Sequence, residues 1–128
     1  MEQPTYVNPI IAGIPLMRPT RELYERAADR LEAAKSLAKR MFLERDFQGN
    51  ITRLCIHGAV IVEAMGSNAE KWSAYAMNVV RKPLDDARYT TEWNDRIGRT
   101  KEEAVAALRQ VAATLPSEVE FNPTMSEP

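Results

Sequence analysis

Between Ile51 and Met65 the chain reads ITRLCIHGAVIVEAM, and only Thr52, Arg53, His57 and Glu63 in that stretch carry strongly polar side chains. A segment this apolar cannot stay in water, so the core has to be assembled around it. Its β-branched content fits one or two strands. Yet Ile51, Leu54, Cys55, Gly58, Ile61, Val62 and Met65 recur at the helical period, and a lone hairpin would be only marginally stable. The spacing predicts one buried helix over 51–65. Gly58 in its interior costs about 1 kcal/mol against alanine, a loss that the small pair Gly58 and Ala59 would offset by admitting a neighbouring helix closely.

The flanking segments are amphipathic. Thr20 follows Pro19 and can cap a first helix predicted over 21–47, in which Tyr24, Ala27, Ala28, Leu31, Ala34, Ala38, Met41 and Phe42 recur at spacings of three and four. Gly49 would end it and Asn50 would cap the next helix. Ser67 and Glu70 have the spacing of a capping box, predicting a third helix that carries Trp72, Ala76, Val79 and Val80 inward and stops at Pro83. Residues 84–99 show no single period, and a short helix over 92–97 closed by Gly98 is expected there. Thr100 and Glu103 repeat the capping-box spacing ahead of Ala104, Val105, Leu108, Val111, Ala112 and Leu115.

The two ends read differently. Residues 1–19 hold Pro4, Pro9, Pro15 and Pro19, which forbid a continuous helix, together with Val7, Ile10, Ile11, Ile14, Leu16 and Met17. That is an extended arm with more apolar surface than a solvated linker carries. Residues 116–128 are acidic, contain three prolines and read as a flexible tail. The expected fold is therefore all-α: a small four-helix, bundle-like domain over residues 20–115 between the arm and the tail.

At 128 residues there is room for one ordinary core. Lys plus Arg number 17 against 18 Asp plus Glu, so no overall charge excess draws the molecule to nucleic acid or anionic lipid. One cysteine and one histidine cannot supply an internal disulfide or a Cys/His zinc site. No apolar run is long enough to span a bilayer and the N-terminus lacks a signal-peptide layout, which leads to a cytoplasmic expectation.

Chemistry-bearing motifs are few. Cys55 and His57 invite a nucleophile and base, but two positions along a helix set their side chains about 200° apart. Glu22, Glu25, Glu92 and Asp95 form E-x-x-E and E-x-x-D pairs. These are similar to the pairs that helical nucleotide pyrophosphohydrolases place on neighbouring helices to hold magnesium. Arg21, Arg26, Arg30 and Arg96 alternate with these acids, which reads as a salt-bridged face. The segments around Gly66-Ser67-Asn68 have a helix-turn-helix outline with Asn68, Lys71, Asn78, Arg81 and Lys82 as groove readers, opposed by Glu70 where phosphate would approach. The glycines are scattered, so no phosphate loop is present. Asn50-Ile51-Thr52 matches a glycosylation acceptor and reads better as a cap.

These observations favour a non-enzymatic interaction or regulatory accessory protein of prokaryotic or phage type, with no metal and no cofactor. Its partner would be another protein or a second copy, with nucleic acid less favoured and no membrane contact. Ile10, Ile11, Ile14 and Leu16 would act as anchors in the partner's groove, with Lys71, Arg81 and Lys82 as a polar rim. Helix-turn-helix DNA binding and magnesium-dependent nucleotide hydrolysis are the alternatives.

Overall fold

A computed structural model describes residues 10, 11, 14, 15 and 17–121. In the arm, β1 (Ile10–Ile11) pairs antiparallel with β2 (Ile14–Pro15), so the backbone doubles back there. Leu16 and the side chains of Ile10, Ile11 and Ile14 lie outside the described part.

The first helix, α1 (Arg21–Ala33), starts where its sequence predicts: the Thr20 hydroxyl accepts from the Leu23 amide at 3.2 Å. Leu23, Tyr24, Ala27, Ala28 and Leu31 form its buried stripe. It does not continue to Phe47. Ala34 is extended, and the next amides leave the helical ladder for carbonyls far along the chain: Lys35 N–H donates to Thr52 O and Ala38 N–H to Leu54 O, both at 2.8 Å. Residues 36–54 instead build a three-stranded sheet from β3 (Ser36–Leu37), β4 (Leu43–Arg45) and β5 (Ile51–Leu54), in the order β3-β5-β4. β3 runs parallel to the central strand and β4 antiparallel. The fold is thus helical in its greater part with a mixed sheet, and the all-α four-helix expectation is wrong. Spacings of three and four through Ala34, Ala38, Met41 and Phe42 imitate a helix, whereas the backbone hydrogen bonds of this stretch go to β5. Asn50 caps no helix. It closes the β4–β5 turn, where Asp46 Oδ1 accepts from the Gln48 and Asn50 amides and Gly49 takes φ +83°.

Four residues of the apolar segment are therefore strand and ten are helix. Cys55 is the hinge between them and caps α2 (Ile56–Met65), its Sγ accepting from Gly58 N–H at 3.1 Å. Every residue of α2 except Glu63 is buried. The glycine at 58 is required by the Phe42 carbonyl: a Cβ there would stand 2.0 Å from Phe42 O. That carbonyl also accepts from Cys55 N–H at 3.0 Å. The close approach expected of Gly58 is real, but its partner is the Phe42 backbone and not helix one.

A 3₁₀ turn (Gly66–Asn68) leads to α3 (Ser73–Asp86), whose start is not at Ser67 and whose N-terminal residue Trp72 makes no side-chain cap. Pro83 does not stop α3, which runs on to Asp86. Proline in a helix disturbs the carbonyls of the preceding turn, and here the buried Tyr24 hydroxyl donates to Val80 O at 3.0 Å. Then follow α4 (Thr91–Asp95), capped by Thr90, and α5 (Lys101–Ala113), which carries the predicted Thr100/Glu103 capping box. One further turn, α6 (Glu118–Phe121), ends the described chain. α1 packs on α5 and α2, and α3 packs against another side of α2, so the apolar helix is central.

Replacing Gly58 by alanine forces the Phe42 backbone away and should lower stability by about 3 kcal/mol or more in urea unfolding. Gly49→Ala, with no atom within 4 Å but a positive φ, should cost only about 1 kcal/mol.

Candidate functional site

Three places in this fold concentrate shape or charge. The first is an apolar groove of about 640 Å³ between α3 and the end of α5, with Val79, Pro83, Ala87 and Leu115 in its walls and Asn78, Lys82 and Asp86 on its rim. Pro19, at the root of the arm, also lines it. The chain enters the domain past this groove: Met17 N–H donates to the Tyr75 hydroxyl at 3.2 Å, and Arg21 N–H to Pro116 O at 2.9 Å. Of the predicted rim, Lys82 is here, paired with Asp86 at 3.0 Å. Arg81 pairs with Asp85 on α3 outside the groove lining, and Lys71 lies before α3 with its ammonium over the Trp72 ring. Exposed pairs at this spacing contribute little, so a partner can replace either acid.

The second place is the junction of α2, α4 and the loop after β3, and it absorbs the stretch that sequence left undecided. Asn94 is fully buried: its Oδ1 accepts from Ile56 N–H at 2.9 Å, satisfying an orphan amide at the start of α2, and its Nδ2 donates to Ala38 O at 2.9 Å. Lys39 Nζ donates to the carbonyls of Asn94, Arg96 and Arg99. Arg40 takes φ +61° and its amide donates to Asp95 Oδ1 at 3.0 Å. Burial works against an ionised Asp95, but the Arg40 amide, Asn94 and nearby Lys39 hold its carboxyl below the usual carboxylate range.

Cys55 and His57 flank this junction without forming a catalytic pair. Burial pushes the thiol up to about 11 despite the amides donating to it, so at neutral pH it is not a thiolate. His57 is 1% exposed, and neither ring nitrogen has a hydrogen-bond partner. Burial pulls it down to about 4, against Asp85 and Asp95 and with Arg81. It is a fully buried histidine with neither nitrogen satisfied, and not the satisfied or boundary residue that its place one turn from Arg53 suggests.

The acids proposed for magnesium are not gathered. Glu22 accepts from Ser117 Oγ and Glu118 N–H, Glu25 and Glu92 are exposed, and Asp95 is held as above. Among the described residues no group of three or more His, Cys, Asp or Glu side chains could hold a metal ion. In the helix-turn-helix outline Glu70 is engaged by Arg45 at 2.9 and 3.0 Å, and Asn78 stands exposed on α3.

The third place was not singled out from sequence. α1, α2 and β5 enclose a cleft of about 460 Å³ whose polar wall is Arg26, Asp29, Arg30 and Glu63 and whose apolar wall is Ala33, Ala34, Ile51 and Leu54. The Glu63 side chain is 9% exposed and bridges both guanidiniums, accepting from Arg26 Nε at 3.2 Å and from Arg30 Nε at 3.0 Å. Arg26 also donates to Glu118 of α6 at 2.6 Å, and Asp29 is taken by Arg109 at 3.0 Å. The available signal was Glu63 itself, the one acid in the apolar segment: a charge there has to meet an opposite charge.

This is a small helical domain with a mixed three-stranded sheet inserted after its first helix, and it presents one apolar groove and one charged cleft. The chain belongs to a family of unknown function, DUF6197, whose model matches residues 16–114. No curated protein and no solved structure matches it. No helix among the described residues is long and apolar enough to cross a membrane.

The pH dependence of stability follows from the chain's single histidine. Unfolded, His57 titrates near 6.5; folded, near 4. The unfolded state therefore binds more protons in between. The stability contributed by the neutral ring is complete above about pH 6.5 and is lost as pH falls towards 4, by roughly 3 kcal/mol. His57→Leu should flatten the urea midpoint between pH 6.5 and 4.5. Asn94→Ala, which strands the Ile56 amide and the Ala38 carbonyl, should cost about 2–4 kcal/mol at any pH in the same assay.

Proposed function

We propose that this chain is a non-enzymatic interaction protein of the cytoplasm, acting by seating the apolar N-terminal arm of one copy in the α3–α5 groove of a second. The observation that carries this reading is the groove's position. It opens at Pro19, where the arm joins the domain, and Lys82 stands on its rim. The arm's own root is already committed elsewhere, since Met17 is buried and bound to Tyr75 one turn along α3 from Val79. Pro19 lines the groove beside Val79, Pro83 and Leu115, the surface that would take the arm of a second copy. Ile10, Ile11, Ile14 and Leu16 supply branched apolar side chains for such a surface, each worth roughly 1.5–3 kcal/mol if fully buried. Exchange of an identical element between copies gives a symmetric dimer at low conformational expense. Lys82 then borders the contact as its polar rim, whereas Arg81 and Lys71 stand outside the groove lining.

Light scattering tests this. The full chain should have dimer mass at micromolar concentration. Both a chain beginning at Met17 and the full-length variant Val79→Asp should be monomers, with melting temperatures below that of the full chain because the stabilisation by association is lost. An arm-deleted protein with the same mass and the same stability as the full chain overturns the reading.

A further inference from the structure

One guanidinium of the charged cleft is shared with a terminal segment of the chain. α1 and α2 bring two guanidiniums, Arg26 and Arg30, to one carboxylate, Glu63. Glu63 uses both oxygens, one on each arginine, and so fixes the two cations in place, while Asp29, the other acid of the wall, is taken by Arg109. A further carboxylate reaches Arg26 from Glu118, whose Oε1 lies 2.6 Å from Arg26 Nη2. Glu118 opens the single turn of α6, which reaches the cleft after Pro116 and whose next residue, Val119, is 43% exposed. The sequence of that turn alternates acid and apolar residues, Glu118-Val119-Glu120-Phe121. The cleft beyond Arg26 is likewise two-part: Arg30, Asp29 and Glu63 on one side, and Ala33, Ala34, Ile51 and Leu54 on the other.

We propose that this cleft binds an acidic–apolar peptide segment of a partner protein, and that α6 is the chain's own occupant of the site, displaced when the partner binds. The incoming carboxylate takes the place of Glu118 on Arg26, and the apolar residue beside it covers Ile51 and Leu54. One carboxylate replaces another on Arg26 while Glu63 keeps both arginines in place, and Glu22 exchanges the Ser117 hydroxyl and Glu118 amide for water. The Arg26 side chain is 39% exposed and that of Glu118 15%, so the contact is partly screened and open to competition. A pocket of about 460 Å³ accommodates one or two side chains, which suits an extended segment and not the face of a folded domain. This site shares no residue with the arm groove, and the failure of either proposal leaves the other standing.

The test uses a fluorescent peptide of residues 115–121, LPSEVEF, titrated into the full chain by anisotropy at low ionic strength. In the native protein the tethered segment competes at an effective concentration in the millimolar range. The variant Glu118→Ala should therefore bind the peptide about tenfold more tightly than the native chain, or more. Binding should weaken as salt rises, and it should vanish for the peptide LPSQVQF and for the double variant Arg26→Gln, Glu118→Ala. Equal affinity of the native chain and Glu118→Ala for LPSEVEF, absence of binding to Glu118→Ala, or binding indifferent to the peptide's glutamates overturns the proposal. The LPSQVQF arm needs no change at Arg26, so the result does not depend on how well the double variant folds.

Discussion

The Phe42 carbonyl sits where Gly58 has no side chain, and much of the chain's path depends on that contact. Only a residue without Cβ lets the end of the loop after β3 lie on the first turn of α2, and the same carbonyl receives the Cys55 amide. With Phe42 held there, β4 pairs beside β5 and Leu54 is directed into the core. Cys55 is left at the point where strand becomes helix. Its sulfur accepts one of the orphan amides of α2, and Asn94 accepts another. A helix with no charged residue in its first turn and almost no solvent contact is thereby supplied with partners by two side chains, one local and one distant.

The two buried polar side chains beside this junction are treated in opposite ways. Asn94 uses both ends of its amide and ties three segments together: the loop after β3, the start of α2, and α4. His57 has no partner for either nitrogen and stays neutral because burial disfavours its cation. One group adds specificity and the other makes the fold sensitive to acid. With no hydrogen bond from either His57 nitrogen and its own thiol elevated by burial, Cys55 is a small buried cap.

The groove and the cleft lie on different sides of this core and share a design. In each, a rigid wall faces a terminal segment of the chain: the root of the arm at Pro19 in one case, α6 at Arg26 in the other. The family match over residues 16–114 includes Arg26, Arg30 and Glu63 of the cleft and Val79, Lys82 and Pro83 of the groove. The arm residues upstream of 16 and all of α6 fall outside it. The mixed sheet contributes Ile51 and Leu54 to the cleft floor, which a bundle of four helices would not have done.

Some of this was legible in the residues alone. Thr20 ahead of α1, the Thr100 and Glu103 box ahead of α5, the left-handed glycines 49 and 98, and the burial of the 51–65 segment follow from hydrogen bonds and steric preferences confined to a few neighbouring residues. Periodicity failed over 34–54, where the partners of Lys35, Ala38 and Cys55 are carbonyls brought close only by the fold. Glu70 likewise serves Arg45, although its spacing from Ser67 suggested a capping box. Lys82 was named for the groove, while Arg26, Arg30 and Glu63 were read as a solvated face or passed over, because nothing in α1 reveals that α2 will present a carboxylate to it. Local chemistry decided where helices begin and which segment is buried. The point where α1 gives way to strand, the fit of Phe42 on Gly58, and the meeting of two arginines with one buried acid were decided by tertiary packing, since each requires atoms that approach only after the chain has closed on itself.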